Sequence, residues 1–295
     1  MKLIFLIILV FLLISNNQLV LSGASYGLML WYQNVLPLLL PFMIISGLIE
    51  NTIKNSTTTK KNNSRLSSLT VIFLGVFCGY PIGAKTNAYF VKNNILSQQL
   101  GNILLPLCNN VSPMFFLGFI LEKTLKNSTN TIFAYAIIYL PYIIFFIIEL
   151  LVYSFCSKKN TKTNQTVIDT EKNTIIHRSI SEESITQITM VGLYIMICTV
   201  ISSFIMNQSF ITPDVKLLLV GITEITSGVT YVSQSFIISE QIKTALILSI
   251  TSFGGISSVM QTSKVIQGSG LSLLHYILIK MLCAVCTYLL YLLLI

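Results

Sequence analysis

Long apolar stretches alternate with short polar segments along the whole chain. Each stretch has about the 20 residues that a helix needs to cross a hydrocarbon core of roughly 30 Å. They are residues 26–50, 98–121, 131–156, 184–206, 240–262 and 271–295. The stretches are continuous and lack the alternation that marks a membrane β-barrel. The pattern therefore predicts an all-α, polytopic membrane protein.

Two further apolar stretches, 68–90 and 214–237, are broken near their middle. The breaks are Gly79-Tyr80-Pro81-Ile82-Gly83 and Glu224-Ile225-Thr226-Ser227-Gly228. Proline removes a backbone donor and glycine favours a turn. Each arm of the first stretch then has about ten residues, or about 15 Å of helix, which reaches roughly half of the core. We expect both stretches to form re-entrant hairpins.

The basic residues predict the orientation. Loop 51–67 has four basic and no acidic residues, and loop 157–183 has five basic residues. Cytoplasmic loops carry such an excess, and acidic residues contribute little to the rule. With both loops inside, an even number of crossings must separate them, so one of the three intervening stretches does not cross. The broken stretch 68–90 fits that role.

Both halves of the chain show the same order of segments: a crossing, a broken hairpin, a crossing with a polar centre, and a crossing. The halves start from opposite sides, which predicts two inverted repeats and a transporter with its site where they meet. We expect an N-terminal helix at 1–22 that ends in a turn near Gly23, with a signal peptide as the alternative. The repeats are then 23–156 and 184–295, separated by the cytoplasmic loop 157–183.

The amino-acid composition and the sequence motifs exclude several classes of protein. Of the 295 residues, 54% are hydrophobic and 9% are charged, with a mean hydropathy of +0.79. A soluble domain has about 25% charged residues, so a water-soluble enzyme is excluded. The net charge of +8 lies largely in Asn/Thr-rich loops without interleaved aromatics, which argues against nucleic acid as a partner. The sequence contains no nucleotide-binding or zinc-protease motif, and Cys283 and Cys286 lack a second pair. We expect no enzyme activity, cofactor or metal.

Two charged residues fall at predicted membrane depth. Lys85 follows the first break, where burial of a cation costs about 3 kcal/mol or more. An anionic substrate or Glu224 would compensate, unless Lys85 snorkels to the cytoplasmic face. Glu224 has further alternatives, since it could bind a coupling cation when ionised or act as a hydrogen bonder when protonated.

Polar residues also occupy the centres of two crossings. Asn109, Asn110 and Ser112 precede Pro113, and the counterpart crossing contains Gly254, Gly255 and Gln261. They line a wet cavity or, alternatively, form hydrogen bonds between helices. The candidate substrate-binding residues are Gly79, Tyr80, Pro81, Gly83, Lys85, Asn109, Asn110, Ser112, Glu224, Thr226, Gly228, Gly254, Gly255 and Gln261.

Five blocks of the sequence, in order, resemble the sporulation integral membrane protein YlbJ family, also called SpoVV. The similarity runs from about residue 23 to the end of the chain. The blocks are Gly27–Phe42, Cys78-Gly79-Tyr80-Pro81-Ile82-Gly83-Ala84-Lys85, Cys108–Phe115, Gly221–Gly228 and Ser252–Gln261.

The resemblance implies paired gate domains, similar to the nucleoside-recognition domains of concentrative nucleoside transporters, which form oligomers. It also implies a bacterial membrane protein that moves dipicolinate, a small aromatic dicarboxylate, out of the mother cell across the outer forespore membrane. The expected partners are thus the bilayer, an anionic small molecule and a further copy of the chain. The alternatives are a cation-coupled nucleoside transporter and a non-transporting sporulation scaffold.

Overall fold

The computed structural model describes residues 2–57, 64–126, 128–157 and 180–295, which are helical apart from short connections and contain no β-strand. Six helical segments are long and apolar enough to span a membrane, and each coincides with a predicted crossing. They are Asn17–Ile49, Gln98–Thr124, Thr131–Phe155, Ser184–Asn207, Glu240–Ile266 and Leu273–Leu294. The prediction of an all-α chain is confirmed over the described residues. Most of the predicted loop 157–183, and residues 58–63 of the other basic loop, lie outside them.

In the described part of the first half there are eight α-helices and two π-helical segments. They are α1 Lys2–Ser15, α2 Asn17–Leu30, a π-helical turn Trp31–Val35, α3 Leu36–Thr57, α4 Ser64–Cys78, α5 Ile82–Lys92, α6 Gln98–Cys108, α7 Pro113–Phe115 with the π-helical segment Phe116–Thr124, and α8 Thr131–Ser157. The second half contains α9 Ile180–Asn207, α10 Pro213–Thr223, α11 Ile225–Gln234, α12 Glu240–Phe253, α13 Gly255–Ile266 and α14 Leu273–Leu294.

The chain is helical at Gly23, so the predicted turn there is wrong. The change from α1 to α2 comes earlier, at Asn16, whose φ and ψ of −118° and 40° are not helical. Gly23 and Gly27 instead face α9: a Cβ at Gly27 would lie 2.1 Å from Thr199 Oγ1. Small residues of this kind let two apolar helices approach closely. The glycines therefore serve packing between α2 and α9, not a turn.

Both broken stretches are pairs of short helices, with the breaks where the sequence predicted them. α4 and α5 are separated at residues 79–81, and α10 and α11 are separated at Glu224. In each pair the two arms approach closely at glycines. A Cβ at Gly83 would lie 2.8 Å from Gly75 Cα, and one at Gly228 would lie 2.5 Å from Gly221 Cα. A larger residue at these positions would force the arms apart.

Two of the six long segments are also broken, and each break packs against the break of a short-helix pair. α6 and α7 are separated by residues 109–112, and the Tyr80 amide donates to Asn110 O over 2.9 Å. α12 and α13 meet at Gly254, and a Cβ at Gly255 would lie 3.0 Å from Glu224 Cα. Buried apolar clusters surround both regions, so protein covers the irregular backbone.

Candidate functional site

A cavity of about 30 Å³ lies where the helix breaks come together. Its polar lining residues are Tyr80, Ser112, Glu224, Thr226, Ser257 and Gln261. Its apolar lining residues are Val35, Leu39, Val111, Phe115, Val191, Ile195 and Ile225. A water needs roughly 10–15 Å³ of such space, so the cavity has room for about two waters.

Four helix N-termini border the cavity. α5 begins two residues after Tyr80, α7 is capped by Ser112, α11 is capped by Glu224, and Ser257 lies in the first turn of α13. The first N–H groups of a helix have no partner within the helix, and they carry the positive end of its dipole. The cavity is therefore bordered by partial positive charge from several helices at once.

Glu224 is fully buried and caps the N-terminus of α11. Its carboxylate accepts from the Thr226 amide over 2.9 Å and the Ser227 amide over 2.7 Å, and the Thr226 hydroxyl also donates to it. Within the described ranges Glu224 forms no ion pair with Lys85, so the predicted alternative of a Lys85–Glu224 pair is wrong for this structure. The start of α11 holds the carboxylate instead.

Two polar atoms at the cavity are without hydrogen-bond partners in the described part of the chain. They are the Tyr80 hydroxyl and Gln261 Oε1, both shielded from solvent. The Gln261 side chain as a whole is buried. An unpaired polar atom in a protein interior is unfavourable by about 1–3 kcal/mol. These two atoms are therefore unsatisfied polar groups on residues that line the cavity.

Asn109 and Asn110 lie behind the cavity and bond to protein groups. The Asn110 amide donates to Pro106 O over 3.0 Å and to Leu107 O over 3.2 Å, which are carbonyls at the end of α6. The Asn109 amide donates to Thr262 Oγ1 over 2.7 Å and to the Tyr276 hydroxyl over 3.0 Å. These contacts match the alternative in which asparagines bond within and between helices. Their role in substrate binding stays a prediction.

The remaining predicted site residues have other surroundings. Lys85 lies half-buried on α5 and does not line the cavity. Gly79 has φ of +72°, and a Cβ there would lie 2.6 Å from Ser112 N. Pro81, Gly83, Gly228, Gly254 and Gly255 shape the breaks and the close approach of the arms. The structure therefore brings Tyr80, Ser112, Glu224, Thr226 and Gln261 together as side chains at one site.

Sequence reasoning missed Lys280, a fully buried lysine near the middle of α14. Its Nζ donates to Asn110 Oδ1 over 2.6 Å and lies 3.5 Å from Asn109 O. A signal was present, because a lone charge inside a crossing stretch is expensive to bury and marks a functional site by default. Lys280 does not line the cavity, but its Nζ lies 6.0 Å from the ring centroid of Tyr80, which does.

Comparisons with known protein families, with curated proteins and with solved structures find no match to this chain. The class of protein is therefore defined by the fold alone: over the residues that the structure describes, the chain is helical and has six helices long and apolar enough to cross a membrane. Within the described residues, no three His, Cys, Asp or Glu side chains come together as a metal site would require.

Proposed function

We propose that this chain is an integral membrane protein that transports a small anionic aromatic compound, with dipicolinate as the first candidate. In this proposal the two halves are inverted repeats, and α4–α5 and α10–α11 are re-entrant hairpins. One observation carries the proposal: four helix N-termini border a single cavity inside the helical bundle. Broken helices with their N-termini at a central site are typical of secondary transporters.

The electrostatics of the cavity support an anion. Carboxylates bind at helix N-termini because unpaired N–H groups and the helix dipole both favour negative charge. Glu224 already satisfies the start of α11. Ser112 caps α7, and Gly79 O accepts from the first N–H groups of α5, whereas α13 has no side-chain cap. The first N–H groups of α13 can then donate to a substrate carboxylate, and the dipoles of α5 and α7 add to the attraction.

The apolar part of the lining supports an aromatic ring. Leu39, Phe115, Val191 and Ile195 form walls that contact a ring without requiring hydrogen bonds. The cavity has room for about two waters, which is less than an aromatic dicarboxylate needs. The arrangement is therefore a closed one in this proposal, and binding requires one hairpin to move away from the other, as alternating access demands.

The test is uptake into liposomes that contain the purified protein. Labelled dipicolinate is the first substrate and uridine is measured in parallel. We expect dipicolinate uptake, and a loss of at least about tenfold in Gln261→Ala, because the side-chain NH₂ of Gln261 can donate to a carboxylate and such a bond to a charged group is worth about 1.5–3 kcal/mol. The matched control is Gln267→Ala, an exposed glutamine just past the end of α13, which leaves uptake unchanged.

Other outcomes would contradict the proposal in distinguishable ways. Uptake of uridine alone would move the protein to the cation-coupled nucleoside transporters. No uptake of either compound by protein shown to be folded would favour the sporulation scaffold. Lys85→Ala tests the sequence-predicted anion partner separately: a loss of dipicolinate uptake there would show that the anion passes along α5, outside the closed cavity.

A further inference from the structure

The ammonium group of Lys280 lies at the C-terminal end of α6. The last four carbonyls of a helix have no partner within it, and the helix dipole places negative charge at that end. The amide NH₂ of Asn110 donates to two of these carbonyls, on Pro106 and Leu107. This contact fixes the orientation of the amide, so Asn110 Oδ1 is presented to Lys280 Nζ at 2.6 Å.

Electron-rich groups enclose the same ammonium on its other sides. The carbonyl of Asn109 lies 3.5 Å from Nζ. Three aromatic rings also face it, with centroids at 5.1 Å for Tyr142, 5.9 Å for Tyr276 and 6.0 Å for Tyr80. Among the described residues, no carboxylate lies within ion-pair distance of Lys280. The surroundings are therefore a set of neutral oxygens and ring faces around one positive charge.

We propose that this pocket is a monovalent cation site that the Lys280 ammonium fills in place of a free sodium or potassium ion. Unwound backbone carbonyls and the C-terminal ends of half-helices are the groups that coordinate Na⁺ in transporters with broken helices. Here an amide oxygen, a carbonyl at an unwound segment and aromatic faces supply that environment. The protein thus carries its own cation at the α6–α7 break and takes up no metal ion there.

The proposal concerns binding and not transport, so its test does not require a known substrate. Removing the side chain in Lys280→Ala would leave a pocket with the same oxygens and rings but without the charge. We expect the thermal unfolding midpoint of this variant to fall, and to rise again by about 4 °C with saturating methylammonium, ethylammonium, sodium or potassium, since a bound ligand stabilises the folded state. The bulky cation N-methylglucamine gives no such rise.

Three controls belong to the measurement. Wild-type protein shows the same midpoint in all of these salts, because Lys280 occupies the pocket. Lys280→Met keeps most of the bulk without the charge and gains no response to small cations. Lys243→Ala removes a buried lysine that has a carboxylate partner, Glu240 at 2.6 Å, and also gains no response.

Two results would overturn the proposal. One is a wild-type midpoint that rises with sodium or potassium as much as that of Lys280→Ala. The other is a Lys280→Ala protein that no small cation stabilises. If this variant is lost in purification, it is prepared with potassium or ethylammonium throughout. Recovery only in these salts supports the proposal, and failure in every salt contradicts it.

Discussion

The breaks in the two long helical segments, between α6 and α7 and between α12 and α13, are formed by different residues. α12 gives way to α13 at Gly254 and Gly255, whose φ values of +83° and +77° only glycine adopts readily. α6 gives way to α7 over four residues without a positive φ, starting at Asn109 with φ of −118° and ψ of 66°. The glycine turn leaves one residue, Gly254, between the two helices, whereas the longer break leaves residues 109–112 between them.

The side chains that form hydrogen bonds at each break also differ. At the glycine break, the Tyr142 hydroxyl donates to Ser252 O over 2.7 Å, and Thr287 contacts the Ser252 hydroxyl at 3.3 Å. These are neutral contacts. At the asparagine break a neutral contact is also present, from the Tyr139 hydroxyl to Val111 O, but the charge of Lys280 is added to it. At the longer break a charged donor is thus added to the neutral ones, and we expect its charge to contribute to the stability of that break.

The largest predicted loss of stability concerns the break at Gly254 and Gly255. Gly255→Ala should lower the free energy of unfolding by about 3 kcal/mol, because positive φ is strained for alanine and its Cβ would lie 3.0 Å from Glu224 Cα. Gly268→Ala is the matched control: its φ is +73°, but the nearest atoms are at 3.9 Å, on the flexible Lys92 side chain. We expect about 1 kcal/mol there. Equal losses in thermal unfolding would show that strain alone, and not close packing, fixes the break.

The second prediction compares the stability lost when the contact with Lys280 at one break is removed with that lost when the neutral contacts of Ser252 at the other are removed. Asn110→Ala removes the 2.6 Å contact of Lys280 together with two bonds to the carbonyls of Pro106 and Leu107. We expect a loss of about 2 kcal/mol, mostly from the contact with the charged group, because hydrogen bonds to charged groups are the stronger ones. Ser252→Ala removes only the hydroxyl contacts at the other break, and we expect about 1 kcal/mol. Chemical or thermal unfolding of both variants measures the difference. If Ser252→Ala proved the more damaging, the asparagine break would not depend on charge.

The smallest predicted effect is that of removing the hydroxyl of Tyr139 or of Tyr142. Tyr139→Phe deletes the bond to Val111 O at one break. Tyr142→Phe deletes the bond to Ser252 O and the 3.3 Å contact with the Ser252 hydroxyl at the other break, while both rings stay in place. We expect about 1 kcal/mol for each. The ring of Tyr142 keeps its position 5.1 Å from Lys280 Nζ, so the cation contact survives. A much larger loss in Tyr142→Phe than in Tyr139→Phe would mean that the hydroxyl, and not the ring, supports Lys280.

The positions of the breaks could be predicted from the sequence because glycine, proline and asparagine have local conformational preferences. The role of Gly23 in helix packing could not be predicted, because a glycine at a turn and a glycine at a close helix contact cannot be distinguished in one sequence. The surroundings of Lys280 could not be predicted either. α14 is apolar on every side, so its sequence pattern does not show which face contacts α6. Lys85 illustrates the same limit: it follows the break, but its helix carries it away from the cavity.

Each half of the chain supports the break in the other half. Tyr142 comes from α8 and supports the break after α12, while Lys280 comes from α14 and supports the break after α6. Neither half contains all the donors that its own irregular backbone requires. The two halves should therefore unfold together in a single cooperative transition, and either half expressed alone should depend on the other to reach its native state.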